Sequence, residues 1–285
     1  MPTPVTTRAD AQALDRADPL SAHRDAFLLP EGVIYLDGNS LGPVTKTARA
    51  RVAEAVAEEW ADGLIRSWNT AGWIDLPARV AARIAPLIGA RPDDIAVGDS
   101  TSVNLFKVLS AALDLAGGRT VILSEPGNFP TDLYVAEGIA ELKGAELRLV
   151  NDVAAALDQT VAVVMVTQVD YRTGRMHDMA ALTEKAHAAG ALVIWDLAHS
   201  AGAFPVDLSG DRPPTPTSPS AAATSISMAA PARRPSCGCR RAIRARKTSP
   251  LRGWFGHAAP FAFEPHYRPP RGSAASSTAP RRSCR

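Results

Sequence analysis

Cysteines and long apolar runs are scarce in this chain of 285 residues. The three cysteines, Cys237, Cys239 and Cys284, are an odd number, and the Cys-Gly-Cys spacing is too short for a usual zinc pair. We therefore expect neither a disulfide framework nor a zinc site. No apolar run approaches the roughly 20 residues that a membrane helix needs, and the N-terminal stretch MPTPVTTRADAQALD has no apolar signal core. These absences predict a cytoplasmic protein that does not span a membrane.

Motifs for nucleotides and metals are absent as well. The sequence contains no Gly-x-Gly-x-x-Gly fingerprint and no Walker-type loop, so a dinucleotide or nucleoside-triphosphate enzyme lacks its usual signature. His177 and His187 are ten residues apart, which is not a metal-ligand spacing. We predict no bound metal.

Charge and composition divide the chain near residue 208. Residues 1–208 carry 17 Lys and Arg against 27 Asp and Glu, whereas residues 209–285 carry 14 against 2. Residues 209–250 contain no Leu, Val, Phe, Tyr or Trp, a composition typical of segments that do not build a packed core. A basic C-terminal segment by itself suggests nucleic-acid or membrane binding.

Before residue 209 the sequence has the pattern of a globular α/β domain. Helices are predicted over residues 9–29, 45–66, 75–89, 99–118, 131–144 and 178–190, and a short strand with a following turn over Val33–Pro43. Further strands are predicted over residues 120–126, 145–150, 161–169 and 191–197. Apolar strands separated by helices predict a mainly parallel sheet with helices on both faces.

Ligands of such sheets bind at the carboxyl ends of the strands, which selects the polar residues in 125–132, 168–175 and 196–199. Asp196 closes a strongly apolar strand, and a carboxylate held there in a low dielectric needs a cationic partner. The protonated nitrogen of a pyridine ring is such a partner, as in pyridoxal-phosphate sites. The alternative is an Asp that caps a helix or binds a backbone amide.

Two other stretches suit a flat cofactor that carries a phosphate. The stretch DSTSVNLFK places hydroxyls and backbone amides at a helix N-terminus, where a phosphate is stabilised; the alternative is an ordinary Ser/Thr cap. Phe129 lies in a turn close to Asp132, where its ring can cover a flat cofactor or be an ordinary buried aromatic. Together these features indicate a site for a phosphorylated aromatic cofactor.

Six stretches of the sequence together resemble the kynureninase family. They are YLDGNSLGP, DSTSVNLFK, NFPTD, YRTGRMHDM, WDLAHSAGAFPVDL and GWFGHAAPFAFEP; the match runs over Ala9–Leu208 and resumes at Pro250–Pro269. Kynureninases are pyridoxal-phosphate enzymes of the aminotransferase class V-like, fold type I superfamily. The resemblance implies a fold type I large domain with a mainly parallel sheet between helices, and a homodimer. It also implies hydrolysis of L-kynurenine, or 3-hydroxykynurenine, to release L-alanine, with anthranilate formed from kynurenine, in tryptophan catabolism or NAD biosynthesis.

The resemblance implies a set of cofactor-binding residues and two residues near the substrate. The first set comprises Thr101, Ser102, Phe129, Pro130, Thr131, Asp132, Asp196, His199 and Trp254, and the second comprises Asn39 and Ser40. Thr101 and Ser102 would hold the phosphate, Phe129 would stack on the ring, and Asp196 would pair with its nitrogen. Trp254 would reach a cofactor across the homodimer interface.

One departure from the family pattern is severe. The family has Tyr-Lys-Tyr-Leu-Asn-Gly-Gly where this chain reads ATSISMAA (Ala223–Ala230), so the lysine that forms a Schiff base with the cofactor is missing and no catalytic residue is assigned. The codons TAC-AAG-TAT-CTC-AAT-GGC, read one base later, spell Thr-Ser-Ile-Ser-Met-Ala, which is Thr224–Ala229. We infer that about residues 211–248 are translated out of frame, and that a second shift follows Pro269 or Pro270. Such a tail has no selected nucleic-acid function.

The expected organisation has five parts. Residues 1–60 form an N-terminal segment with a substrate-side turn, 61–208 the cofactor-binding α/β domain, 209–250 an unpatterned stretch, 251–269 a family-like segment and 270–285 an unpatterned tail. The C-terminal small domain of the superfamily is missing or scrambled, and we predict little or no kynureninase activity for this chain.

Two alternatives to the kynureninase function stay open. The first is another fold type I enzyme such as a cysteine desulfurase-like protein, whose catalytic cysteine has no counterpart before the basic segment. The second is an inactive remnant or interaction protein.

Overall fold

The computed structural model describes residues 6–38 and 40–208, the strands Ser225–Met228 and Ser236–Gly238, and residues 258, 259, 262, 266 and 268. These residues belong to two compact units, Met1–Trp73 and Ile74–Arg285. No helix in the described part of the chain is both long and apolar enough to cross a membrane.

The first unit is built from short helices. Its α-helices are α1 (Arg8–Ala17), α2 (Lys46–Glu54) and α3 (Ser67–Thr70), with 3-10 turns at Ser21–Ala26 and Leu64–Arg66 and a π-helical segment at Ala55–Trp60. Thr7 caps α1 in a capping box with Asp10. The predicted helix over residues 9–29 ends early because Asp18 precedes a proline and takes an extended conformation.

The strand predicted from Val33 is not formed. Ile34 and Leu36 are strongly exposed, and the segment carries no ladder to a neighbouring strand in the described ranges. The nearby pairing is a single bridge between Phe27 and Thr45. Strand propensity alone does not hold an isolated segment, because a strand is stabilised by its neighbours.

The second unit contains the larger helices and the strands. Its α-helices are α4 (Leu76–Ile84), α5 (Thr101–Leu115), α6 (Pro130–Lys143) and α7 (Met179–Ala188), with 3-10 turns at Ala85–Leu87 and Pro92–Asp94; a further turn, Trp73–Asp75, spans the boundary in sequence. The strands are β1 (Ile95–Val97), β2 (Val121–Ser124), β3 (Glu146–Leu149), β4 (Val161–Thr167), β5 (Leu192–Asp196), β6 (Ser225–Met228) and β7 (Ser236–Gly238). Ser100 and Asp178 cap α5 and α7 with their side chains, and Gly144 ends α6 in the left-handed conformation.

Five strands form one parallel sheet in the order β3-β2-β4-β5-β6. Alternate residues of β4 and β5 point to opposite faces: Met165 and Ile194 pack with α5 and α6, whereas Val166 and Trp195 belong to the cluster that includes Leu182 of α7. Burial on both faces explains why these strands are nearly continuous apolar runs. The predicted α/β fold with a mainly parallel sheet between helices is confirmed.

Two strands lie in the stretch whose composition predicted no packed element. β6 pairs in parallel with β5, from Val193 opposite Ser225 to Asp196 opposite Met228. β7 pairs antiparallel with β1, a strand that the sequence analysis did not predict. Both ladders use backbone N–H and C=O groups, so they form without an apolar side-chain pattern.

The last continuously described residues close back on the end of α4. The Leu208 amide donates to the Ile88 carbonyl at 3.0 Å. Gly89 has a φ of +56°, and a Cβ there would lie 2.7 Å from both the Asp207 Cα and the Val206 carbonyl oxygen. Glycine is therefore needed at position 89 for its conformation and for the close approach of the two segments.

Candidate cofactor site

The carboxyl ends of three adjacent parallel strands bring distant residues together. β2, β4 and β5 lie side by side, and Thr167 at the end of β4 is in register with Asp196 at the end of β5. Because the strands are parallel, the loops that follow them begin at one edge of the sheet. This edge is where the sequence analysis placed the ligand site.

A buried chain of polar side chains crosses this edge. The Ser124 hydroxyl donates to the Met165 carbonyl at 2.6 Å, and Asn128 Nδ2 donates to Ser124 Oγ at 3.1 Å. Thr167 Oγ1 is 2.5 Å from Asn128 Oδ1 and 3.4 Å from Asp196 Oδ2. The chain thus links β2, β4 and β5 through side chains that are all buried.

Asp196 is a buried carboxylate without a cationic partner among the described residues. It is 5% exposed, and its Oδ1 accepts from the Ala198 amide at 2.8 Å. Burial raises its pKa to about 6, against the opposing effect of the hydrogen bonds from Ala198 and Thr167. The alternative from the sequence, an Asp that binds a backbone amide, therefore accounts for one oxygen of Asp196. The negative charge of its ionised carboxylate still has no positive partner among the described residues.

Asp132 adds a second buried carboxyl group. It lies in the first turn of α6, is 2% exposed, and its Oδ2 has no hydrogen-bond partner in the described part of the chain. Burial, together with the negative charge of Asp196, raises its pKa to about 8. Two buried carboxyl groups whose pKa values are both raised form a site that a cationic ligand stabilises.

Three aromatic rings contact one another in the loops that follow β2, β4 and β5. Phe129 and Tyr171 meet edge to face with centroids 5.4 Å apart, and Tyr171 and His199 stack at 6.3 Å with planes 25° apart. Burial lowers the pKa of His199, against the opposing charge of Asp170. The Phe129 ring, the Tyr171 phenol ring and the His199 imidazole suit contact with a flat aromatic ligand.

Tyr171 lies in the stretch 168–175 that the sequence analysis selected, and it is carried by a hairpin that the analysis did not predict. Val169 and Met176 close the hairpin in an antiparallel bridge, and Arg172 Nη2 donates to the Gly127 carbonyl at 3.2 Å. At its base Arg175 and His177 contact Glu125 at 3.0 and 3.1 Å. These contacts attach the hairpin to the loop that carries Phe129.

The helix start predicted to hold a phosphate forms as an ordinary capped N-terminus. Ser100 Oγ accepts from the Val103 amide at 3.3 Å, and Thr101 and Ser102 are the first half-buried residues of α5. Asn104 Nδ2 fixes the preceding loop by donating to the Gly98 carbonyl at 2.7 Å. A Ser/Thr cap and phosphate binding by the first turn of a helix are compatible, so the phosphate assignment of Thr101 and Ser102 stays a prediction.

The remaining predicted site residues divide by where they lie. Pro130 and Thr131 begin α6 beside Phe129, in the same turn as Asp132. Ser40 belongs to the first unit, where its hydroxyl donates to Asp37 Oδ1 at 2.7 Å. Asn39 and Trp254 lie outside the described residues.

The sequence analysis missed Thr167, because the selected stretch began one residue later, at Gln168. The last residue of an apolar strand is a signal that could have found it. Asn128 lies within the selected stretch 125–132 but was given no role, since its role depends on a contact with a residue 39 positions away.

Residues 50–210 match the Aminotransferase class-V family model, which is more than half of the chain. The chain belongs to the aminotransferase class-V family. Kynureninase of Pseudomonas fluorescens is 50% identical over 285 residues, covering 95% of this chain and 66% of that protein. Kynureninase of Burkholderia mallei strain SAVP1 is also 50% identical, over 279 residues, with the same coverage. The chain thus spans 66% of the length of these relatives.

Solved structures share the fold at lower identity. A C-DES mutant with glycine covalently linked to its PLP cofactor aligns with a TM-score of 0.67 at 17% identity, over 88% of this chain and 67% of that one. A cysteine desulfurase from Thermococcus onnurineus NA1, solved without ligand, aligns with a TM-score of 0.61 at 18% identity, over 94% and 69%. These likenesses support the fold type I architecture.

The comparisons confirm the kynureninase resemblance and pyridoxal phosphate as the cofactor of this family. The residues at the strand ends fit that cofactor, because its protonated ring nitrogen is the cation that Asp196 and the unpartnered oxygen of Asp132 lack. The cysteine desulfurase alternative rests on fold likeness alone, whereas the 50% identical relatives are kynureninases.

Proposed function

We propose that this chain is the cofactor-binding part of a kynureninase-type hydrolase. The reaction is L-kynurenine plus water to anthranilate plus L-alanine, with 3-hydroxykynurenine as a second substrate, in tryptophan catabolism or NAD biosynthesis. The observation that carries the proposal is the buried Asp196 without a cationic partner in the described ranges. Phe129 and His199 lie in the loops that follow β2 and β5. The 50% identity to kynureninases supports the choice of substrate.

Bound pyridoxal phosphate supplies a protonated pyridine ring that withdraws electrons from the bonds of the substrate. Asp196 keeps the ring nitrogen protonated, and Asp132 lies in the same carboxylate pair. Phe129 and His199 would contact the ring, and Pro130 and Thr131 would line the site. The amides and hydroxyls at Thr101 and Ser102 hold the phosphate.

The chain as written lacks the lysine that anchors the cofactor and moves protons. No lysine stands between Lys185 and Lys247. The match to the Aminotransferase class-V model ends at residue 210, immediately before the stretch 211–248 that we propose to be out of frame, whereas the alignments with the kynureninases cover 95% of the chain. We therefore propose that this chain binds the cofactor without anchoring it and turns over little or no substrate.

Further parts of the assignment are proposals of the same kind. They are the division at residues 60, 208, 250 and 269, a cytoplasmic homodimer to which Trp254 contributes, Asn39 and Ser40 near the substrate, and no role for the basic segment in binding nucleic acid or membranes. An inactive remnant with an interaction role is the second candidate, and the missing lysine is the observation that favours it.

Binding of pyridoxine 5'-phosphate tests the proposed site without relying on catalysis. This alcohol cannot form an imine with surface lysines, so its affinity reports the phosphate and ring contacts alone. We expect equilibrium dialysis to show saturable binding that Asp196→Asn weakens by about 100-fold, since it removes the charge opposite the ring nitrogen. Asp158→Asn, which alters an exposed carboxylate paired with Arg148, is the matched control and should change nothing.

Binding that is absent, or equal in the Asp196 and Asp158 variants, would refute the site. Resequencing of the gene across codons 205–275 tests the frame separately. A lysine in a Tyr-Lys-Tyr-Leu context supports the hydrolase, and a confirmed tail supports the remnant.

A further inference from the structure

Asn128 has a bonding pattern that fixes which way its amide faces. Its Oδ1 accepts from the Phe129 amide at 2.8 Å, and its Nδ2 approaches the Met165 carbonyl at 3.4 Å. A backbone N–H can only donate and a carbonyl can only accept, so a flipped amide would lose both contacts. The oxygen that faces Thr167 is therefore the amide oxygen, which is an acceptor only.

Thr167 has one hydroxyl proton and two neighbouring acceptors. The distance to Asn128 Oδ1 is 2.5 Å, and the distance to Asp196 Oδ2 is 3.4 Å. A hydroxyl donates one hydrogen bond, and the short contact to an acceptor-only oxygen takes it. Asp196 Oδ2 is then left facing a lone pair of Thr167 rather than its proton.

The other oxygen of Asp196 is already used by the protein. Asp196 Oδ1 accepts from the Ala198 amide at 2.8 Å. A carboxylate oxygen that already accepts a hydrogen bond gains less from a further donor, because the bond reduces its negative charge. Asp196 Oδ2, which among the described residues has only the long 3.4 Å contact with the Thr167 hydroxyl, is thus the oxygen with most to gain from a cationic ligand.

We propose that Asn128 is a positioning residue: by accepting the single hydroxyl proton of Thr167, it keeps that proton away from Asp196 Oδ2 and reserves this oxygen for the ring nitrogen of the cofactor. The inference rests on the proposed function, since it needs Asp196 to pair with that nitrogen. Asn128 itself acts through Thr167 and Asp196.

The test compares two probes that differ in one atom. Pyridoxine 5'-phosphate has the ring nitrogen, and its benzene-ring counterpart has a C–H at that position. The ratio of their dissociation constants, measured by equilibrium dialysis on the 285-residue chain, isolates the contact with Asp196. Losses of stacking or phosphate binding weaken both probes equally and cancel in the ratio.

Asn128→Ala frees the Thr167 proton to turn to Asp196, and we expect the preference for the nitrogen-containing probe to fall about tenfold. Thr167→Val removes the competing proton, so its ratio should stay within about threefold of the parent. The double variant should recover the parent ratio, because no hydroxyl remains to satisfy Asp196. Recovery by a second substitution is a result that loosened packing does not produce.

Thr183→Val is the matched control, since Thr183 is another buried threonine whose hydroxyl accepts from Trp195 Nε1 at 3.0 Å. Its ratio should equal that of the parent. If Asn128→Ala does not fold by circular dichroism, Asn128→Ser replaces it, because its hydroxyl can accept from the Phe129 amide but is too short to hold Thr167.

The outcomes separate the two proposals. A parent chain that binds both probes equally overturns the pairing of Asp196 with the ring, and the role of Asn128 with it. A parent that prefers the nitrogen-containing probe while Asn128→Ala keeps the same preference overturns only the role of Asn128. A double variant that stays as low as Asn128→Ala overturns it also.

Discussion

The neighbouring strands β5 and β6 have the same kind of backbone ladder and very different sequences. β5 reads Leu-Val-Ile-Trp-Asp and is buried along most of its length, whereas β6 reads Ser-Ile-Ser-Met. They pair in parallel over four residues. The comparison shows that the backbone can complete a sheet at this position while the chemistry that the family places there, a lysine, is missing.

Restoring the reading frame of the gene is the change that should alter the difference between β5 and β6 most strongly. A gene corrected over codons 211–248 regains the lysine of the Tyr-Lys-Tyr-Leu context. We expect kynurenine turnover to rise by about 1,000-fold or more over the chain as written, because positioned proton transfer alone contributes factors of 100 to 10,000. Anthranilate fluorescence measures the rate, and equal rates for both chains would contradict the proposed role of the lysine.

Substitution of a buried side chain in β5 should destabilise the protein far more than substitution in its partner strand β6. Trp195 is fully buried and its Nε1 donates to Thr183, so Trp195→Ala should lower the free energy of unfolding by about 3–5 kcal/mol. Ser227→Ala, at the position paired with Trp195 in the ladder, retains the backbone bonds and is the control. Urea unfolding, followed by circular dichroism, compares the two variants. Equal losses of unfolding free energy would show that the side chains of β6 matter as much to stability as those of β5.

The carboxyl pair predicts how stability depends on pH. Burial raises the pKa of Asp132 to about 8 and that of Asp196 to about 6, above the ordinary value of 3.8. The folded state therefore binds more protons than the unfolded state between about pH 4 and 8, and stability falls as the pH rises through that window. Without ligand we expect a lower melting temperature at pH 8 than at pH 5.

Asp132→Asn should flatten this slope, because an amide stays neutral at every pH. Asp158→Asn is the control, since hydrogen bonds from Thr160 and Arg148 lower the pKa of Asp158 to about 2 and its titration lies below the window. A melting temperature that rises from pH 5 to pH 8 in the parent chain would contradict the buried pair.

The smallest expected effect concerns the hairpin. Tyr171→Ala removes one edge contact with Phe129 and one stack with His199, and aromatic pairs contribute about 0.5–1.5 kcal/mol each. We expect the affinity for pyridoxine 5'-phosphate to fall about fivefold, with Tyr171→Phe retaining most of it. An unchanged affinity in the alanine variant would separate the hairpin from the site.

Prediction from the sequence succeeded where a pattern is local. The apolar runs that became β4 and β5 are long enough to be read directly, and the strand-end rule found Asp196. A strand was predicted from Val33 but did not form, because the segment has no neighbouring strand to pair with in the described ranges. β1 formed but was not predicted, because it has only three residues. The contact between Asn128 and Thr167 joins the loop after β2 to the last residue of β4, so no local pattern encodes it.

The tight closure at Gly89 sets a constraint on any repaired gene. The chain leaves the last continuously described segment, Val206–Leu208, directly against a backbone that has no room for a side chain. An alanine at 89 would push this exit point outward, and everything encoded downstream would start from a displaced position. The position of the missing lysine therefore depends on a glycine that lies more than a hundred residues before it in the sequence.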